Sequence, residues 1–306
     1  MVTPIAHFRK LLGCFETLRQ KGYISHNLQT NATLIDDDWC SLFKEFDVNV
    51  GVSLDGPLQT NTQRVDWAGR PIYDNIMRGI QFLRKNSIPF SVIAVVNSRS
   101  IELGKQLYDF FATLGCSYLA INIEEVEGVN LGTSQYLDDN RVKTFWSNLY
   151  EAWRDNPVIG VREIVAALKH IAGIVGAGSP HKVNPQPMDP FPVVDYNGNV
   201  VLLSPGFSGV QPVGYDTFVV GNVLQQSLPK LVRKRWGYDY VNDYVRGVEK
   251  CAQECAYFDF CGGGYSGSKY FGSGTTNATE TAACRNTRQR LIDAIGESIV
   301  KEEGGE

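Results

Sequence analysis

Between residues 24 and 123 the chain repeatedly changes its hydrophobic period, from strand-like alternation to the three-to-four spacing of a helix. Residues 24–29, 48–54, 90–96 and 118–123 are short and rich in apolar and β-branched side chains, as strands require. The stretches around them have helical spacing. Residues 6–20 are amphipathic, Asp36 is placed to cap a helix through about Glu45, and residues 73–85 set Ile76, Ile80 and Leu83 on one face. A further helix carries Leu103, Leu107, Phe110 and Leu114, with Ser100 as its expected cap and Gly115 as its stop. Strands separated by whole helices pair in parallel through right-handed crossovers. The expected fold class is therefore α/β, a four-stranded parallel sheet or partial barrel.

In parallel sheets of this kind the working residues sit just beyond the carboxyl ends of the strands. Those ends read Gln29-Thr30-Asn31, Ser53-Leu54-Asp55, Asn97-Ser98-Arg99, and Asn122 followed by Glu124 and Glu125, which makes a polar rim. Asp55 is expected to hold the Gly56-Pro57 turn through its side chain. Two helical stretches run from about Arg141 to Ile174, and residues 176–192 are dense in Gly and Pro, as a linker is. Beyond them, residues 193–203 read as a hairpin turned at Asn197-Gly198, and residues 218–223 as another strand. The expected organisation is 1–175 for the sheet and its helices, 176–192 for the linker, and 193–306 for a smaller domain ending in a helix at 288–301.

Four of the seven cysteines fall in that last domain, as Cys251-x3-Cys255-x5-Cys261-Gly-Gly-Gly and, after a longer gap, Cys284. Cys14, Cys40 and Cys116 are scattered singly. Thiolates gathered this way hold a soft metal centre, and spacing alone leaves zinc and an iron–sulfur cluster equally open. An odd cysteine count with no export signal fits a reducing cytoplasm better than a disulfide framework. The formal net charge of −4 offers no broad basic surface, which sets nucleic acid aside as a partner. No apolar run of about 18 residues marks a membrane span. None of the four histidines has an acid or cysteine partner in sequence, and none is assigned an acid–base role. The basic run Arg233-Lys234-Arg235 before Trp236 reads as a solvated helix end.

The run VGVSLDGP at 50–57, followed by Arg64, Gly69 and IMRGIQFLRKNSI at 76–88, resembles the middle of radical S-adenosylmethionine (SAM) enzymes. QTNATLIDDDW at 29–39 resembles the segment that precedes it there. CAQECAYFDFCGGGYSGSKYF at 251–271, with TETAACR at 279–285, resembles the SPASM or shorter twitch extension of peptide-modifying members. The nearest resemblance is to maturases of glycine-rich-repeat precursor peptides, a group that includes cyclophane-forming enzymes. The resemblance implies a partial (β/α) radical SAM barrel followed by a SPASM/twitch-like cluster domain. It implies a ribosomally made, glycine-rich precursor peptide as partner, an electron-donor protein, and hydrogen abstraction by a 5′-deoxyadenosyl radical. It turns the cysteine set toward one auxiliary [4Fe–4S] cluster on Cys251, Cys255, Cys261 and Cys284. The extra cysteine that a full SPASM pattern carries after the hairpin is replaced here around Leu203-Ser204-Pro205. It also implies that Ser53 and Arg64 contact SAM, the arginine through the cofactor's carboxylate, with Gln29 and Asn31 as further contacts.

Members of that family open their barrel with a C-x3-C-x2-C loop, which holds a second, SAM-cleaving [4Fe–4S] cluster, and continue to a Gly-Gly-Glu-Pro strand end. These 306 residues contain neither motif, and MVTPIAHFRK at 1–10 resembles what directly follows them. The expectation is that Met1 stands inside a longer protein whose first two strands cover the otherwise open edge at residues 24–29. The chain by itself is then expected not to cleave SAM, and its standing as an enzyme rests on the complete polypeptide. The alternative is a non-catalytic remnant or partner subunit that binds peptide through a cluster- or zinc-stabilised domain.

Overall fold

Short apolar strands, each followed by a helix that covers it, set the architecture of the first part of the chain. The computed structural model describes residues 4–125, 137, 139–177 and 189–303. Most of the Gly/Pro-rich stretch at 176–192, His181 included, lies outside the described residues. In chain order come α1 (Ile5–Gln20), β1 (His26–Thr30), α2 (Asp37–Glu45), β2 (Val48–Ser53) and α3 (Tyr73–Lys85). Then follow β3 (Phe90–Val96), α4 (Gly104–Leu114), β4 (Tyr118–Ile123), α5 (Asp139–Asp155), β5 (Gly160–Val161) and α6 (Arg162–Ala177). The five strands form one sheet in the order β1-β2-β3-β4-β5, so the fold is α/β with a parallel sheet. Gln29 lies opposite Gly51 where β1 meets β2, and Val52 opposite Val92 where β2 meets β3.

The sequence anticipates four of these strands. The fifth, β5, pairs in parallel with β4 through Tyr118 opposite Gly160. Two residues between long helices are too few to reveal a period, so only the pairing defines this strand. Elsewhere the local rules hold. Phe90, Val92, Ala94 and Val96 of β3 are buried on alternate positions, and Ile76, Ile80 and Leu83 bury one face of α3. The Asp36 carboxylate accepts from Trp39 N–H at 3.0 Å and starts α2, while Gly115 ends α4 in the left-handed region. Ser100 does not cap α4, which begins four residues later. Its hydroxyl accepts from Asn97 N–H at 3.0 Å instead. The turn after β3 presents that donor first and takes the serine before the helix can use it.

The later part of the chain contains β6 (Val193–Val194), β7 (Asn199–Val201) and β8 (Val219–Asn222) in an antiparallel sheet of that order. The Asp195 carboxylate accepts from the N–H groups of Asn197 and Asn199 and closes the β6–β7 hairpin. Helices α7 (Leu228–Arg233), α8 (Asp239–Glu254), α9 (Phe258–Cys261), α10 (Ser266–Ser273), α11 (Ala282–Cys284) and α12 (Arg290–Glu303) follow, with a π-helical turn at Arg285–Gln289 before the last. An aromatic core joins this sheet to its helices. Phe207 stacks on Phe218 with ring centroids 4.1 Å apart, and Tyr240 and Tyr270 meet Phe218 edge-on at 5.1 and 4.9 Å. The chain divides into two compact units, Met1–Asn122 with Thr144–Ala166, and Ile123–Lys143 with Ala167–Glu306. Among the described residues no helix is long and apolar enough to cross a membrane.

The three single cysteines differ sharply in environment. Cys14 is exposed, whereas burial pushes the Cys40 and Cys116 thiols up to about 11. A raised thiol carries little thiolate near pH 8, and thiolate is the reactive form. Iodoacetamide in native buffer is therefore expected to alkylate Cys14 before Cys40 and Cys116, and to spare those two until denaturant is added. Peptide mass spectrometry reads the order, and early labelling of Cys40 or Cys116 would contradict the packing described.

Candidate functional site

The ends of β1 and β2 are side by side, with Thr30 opposite Val52. Gln29 and Ser53 meet there, Gln29 Nε2 donating to Ser53 Oγ at 2.9 Å. Gln29 can lie across β2 because the residue it crosses is Gly51, where a Cβ would stand 2.1 Å from Gln29 Oε1. Asn31 is engaged locally, its Oδ1 accepting from Thr33 N at 3.3 Å and Thr33 Oγ1 at 3.0 Å.

Arg64 returns to the end of β2, where one guanidinium nitrogen donates to Asp55 Oδ1 at 2.6 Å. The same oxygen accepts from Val95 N–H at 2.8 Å. Asp55 thus ties β3 to the arginine and does not hold the Gly56-Pro57 turn with its side chain. Asn61 and Thr60 hold that turn. Asn61 accepts from Asp55 N–H and donates to Gly56 O and Pro57 O, while Thr60 Oγ1 donates to Asp55 O. A turn that presents both carbonyls and an N–H needs an amide, because a carboxylate only accepts. Arg64 Nε is buried with no partner in the protein, which leaves a donor free for another acceptor.

In the other unit, α8 carries Cys251 in its last turn and ends at Cys255, whose N–H donates to Cys251 O at 2.9 Å. Cys261 closes α9 and Cys284 closes α11, where the Thr281 side chain accepts from Cys284 N–H at 3.1 Å. Gly262, Gly263 and Gly264 have φ of 70, 100 and 74°, a left-handed run that residues with side chains avoid. A Cβ on Gly263 would also stand 2.9 Å from Val248 of α8. The run of glycines lets the backbone turn sharply after Cys261 and lie close to α8.

All four cysteines line one cavity of about 300 Å³. Among the described residues no group of three His, Cys, Asp or Glu side chains is arranged to hold a single metal ion. Zinc, at about 2.3 Å from each sulfur, would need the four sulfurs within roughly 4 Å of one another. The cavity they line has room for a multi-atom iron–sulfur core. Cys284 donates a hydrogen bond to Cys261, which with Gly263 N–H and Arg288 draws the Cys261 thiol down to about 7 against the effect of burial. The Cys284 thiol is pushed far up as the proton's holder.

Several polar groups escape a reading of the sequence. Lys269 of α10 is 1% exposed, and its Nζ lies 3.6 Å from Cys251 Sγ. Gln289 Nε2 lies 3.6 Å from Cys284 Sγ. Nothing in the cysteine spacing points to either residue, because each arrives from a separate helical segment. Glu163 is buried and accepts from Ile121 N–H at 3.0 Å, beside Arg162, which donates to Asn122 Oδ1 at 2.9 Å. An acid in the first turn of a helix was the available signal for Glu163. Glu124 and Glu125 follow β4, and burial raises the Glu125 carboxyl while a hydrogen bond with Ser268 opposes it. In the basic run, Arg235 lies over the Trp236 ring at 4.7 Å and donates to Val232 O.

No family model matches the chain. An uncharacterized protein of Synechocystis sp. is 32% identical over 308 residues, covering 96% of this chain and 76% of that protein. The cysteine-type anaerobic sulfatase-maturating enzyme of Clostridium perfringens is 25% identical over 252 residues, or 79% of this chain. The chain spans 64% of that enzyme's length. Among solved structures, anSMEcpe with bound AdoMet superposes with a TM-score of 0.74 at 20% identity, covering 99% of this chain and 78% of the other. In sequence the chain is similar to anaerobic sulfatase-maturating enzymes, and it shares the fold of anSMEcpe. Streptococcus suis SuiB bound to precursor peptide SuiA shares this fold at a TM-score of 0.58 and 14% identity, covering 90% of this chain and 61% of SuiB.

In this chain Asp55 holds both Val95 N–H and a mostly buried guanidinium. Replacing Asp55 by Ala is expected to cost about 3–5 kcal/mol, the range for removing one partner of a buried ion pair. Urea denaturation measures the loss, and a midpoint unchanged from the wild type would refute the tie.

Proposed function

We propose that this chain serves radical SAM modification of a ribosomally made precursor peptide, with an auxiliary [4Fe–4S] cluster on Cys251, Cys255, Cys261 and Cys284. The observation that carries this reading is that those four thiols line one cavity of about 300 Å³. When bound, such a cluster supplies one-electron transfer. The chain's own residues do the rest. Gly262–Gly264 bring the backbone close around the core, and Gln289 donates toward Cys284.

At the strand ends, Ser53 and Gln29 offer a joined polar pair, and Arg64 offers an unpaired donor suited to the SAM carboxylate. Asn31, its Oδ1 held by Thr33, has its amide donors left for SAM. The finer product reading is a carbon–carbon cross-link in a glycine-rich peptide, and it rests on the resemblance of residues 29–39, 50–88 and 251–285. Such a cross-link removes two hydrogens from the peptide. One leaves as an atom to the adenosyl radical, the other as a proton and an electron, and the electron needs an acceptor. An electron-donor protein to start each SAM cleavage and a cytoplasmic setting belong to the same proposal.

One observation favours a second reading. These 306 residues hold no C-x3-C-x2-C loop, so cleavage of SAM requires that loop from additional polypeptide, in the same chain or another. A subunit that only positions peptide would have the same C-terminal unit.

Metal analysis of anaerobically purified protein separates the readings of the cysteine site. Iron and sulfide at about four each per chain are expected, and Cys251→Ser or Cys284→Ser should lower both. Zinc without iron would overturn the cluster. For the strand-end site, Arg64→Ala is expected to weaken SAM binding by about tenfold or more in calorimetry, the worth of a charged hydrogen bond. Equal affinity in both proteins would remove Arg64 from the SAM site.

A further inference from the structure

Lys269 places a cation where the fold could have placed an apolar side chain. It is 1% exposed, and its Nζ has three partners, Cys251 Sγ at 3.6 Å, Thr279 O at 3.5 Å, and Ala278 O. Among the described residues no carboxylate lies at ion-pair distance from it. Glu280, close by in sequence, is taken by Arg285 and Gln289. Two carbonyls satisfy N–H donors without cancelling a charge, and a buried cation with no counter-ion is strongly disfavoured.

The segment that supplies those carbonyls is itself fixed. Thr276 Oγ1 donates to Tyr240 O at 2.6 Å, and Tyr215 Oη is bonded to Asp243, Thr275 and Thr276. The segment also passes close over Gly247 of α8, where a Cβ would meet Ala278 O and Thr276 O at 3.0 Å. The ammonium is therefore held in one place by a rigid frame, beside the Cys251 sulfur.

We infer that Lys269 is the charge-compensating positioning residue of the auxiliary centre. Its ammonium donates to the Cys251 sulfur and holds the centre's reduction potential up, which favours its taking an electron. The inference rests on the auxiliary cluster proposed above. The physical reason is electrostatic. Four thiolates around the cluster leave a net negative charge that grows on reduction, so a fixed cation at 3.6 Å stabilises the reduced form more than the oxidised one.

The test compares wild type, Lys269→Met and Lys269→Arg, each reconstituted anaerobically with iron and sulfide. Iron content is measured first, then the midpoint of a dithionite titration followed by electron paramagnetic resonance. Met preserves length and loses the charge, whereas Arg keeps it. The expected result is a lower midpoint in Lys269→Met at full iron content, with Lys269→Arg close to wild type. A Lys269→Met midpoint equal to wild type at full iron overturns the inference. If Lys269→Met fails to hold iron, Lys269→Arg decides. Wild-type iron and midpoint there support the charge, and loss of iron there shows that the lysine's shape was what mattered. A wild type that holds no iron defeats the cluster reading itself, an outcome distinct from all of these.

Discussion

Four thiols around one cavity constrain the C-terminal unit more than any other feature. Sulfurs that converge on one centre must come from segments that would otherwise diverge, and here they come from the end of α8, from α9 and from α11. Each arrival depends on a local device. Left-handed glycines after Cys261 allow the sharp turn, and Thr281 starts the short helix that ends at Cys284. The aromatic core around Phe207, Phe218, Tyr240 and Tyr270 supports α8 and α10 from behind. That support lets α10 hold a buried ammonium against Cys251 without a carboxylate.

The strand ends of the other unit follow a different logic. Parallel register puts Gln29 opposite Gly51, and the missing side chain there gives the amide its path to Ser53. Asp55 then joins Arg64 to Val95, so the arginine is oriented by the sheet itself. A guanidinium with one arm pinned and Nε left without a partner is preorganised, and preorganisation lowers the entropy lost on binding an anion.

Much of this was legible in advance, for reasons that differ by residue. Helix α3 could be read because Ile76, Ile80 and Leu83 recur at helical spacing, and α2 because Asp36 is a good cap. Strand β5 could not, because two residues carry no period and only its pairing with Tyr118 and Leu119 defines it. Ser100 misled because its hydroxyl had a nearer donor, and Asp55 because its carboxylate reached across to β3. The four cysteines were evident from their spacing. Lys269 and Gln289 were not, since neither carries any mark in sequence of the sulfur it approaches.

The sequence by itself determined the α/β alternation, the hairpin at Asn197-Gly198 and the grouping of four cysteines, because these depend on period, turn chemistry and the scarcity of thiols. Tertiary structure decided what surrounds those thiols. Sulfurs lining one cavity, a cation buried beside one of them and an arginine oriented by a distant strand all arise between segments far apart in the chain. Electrostatic and packing forces act through space, and their effects take shape only when the fold has brought those segments together.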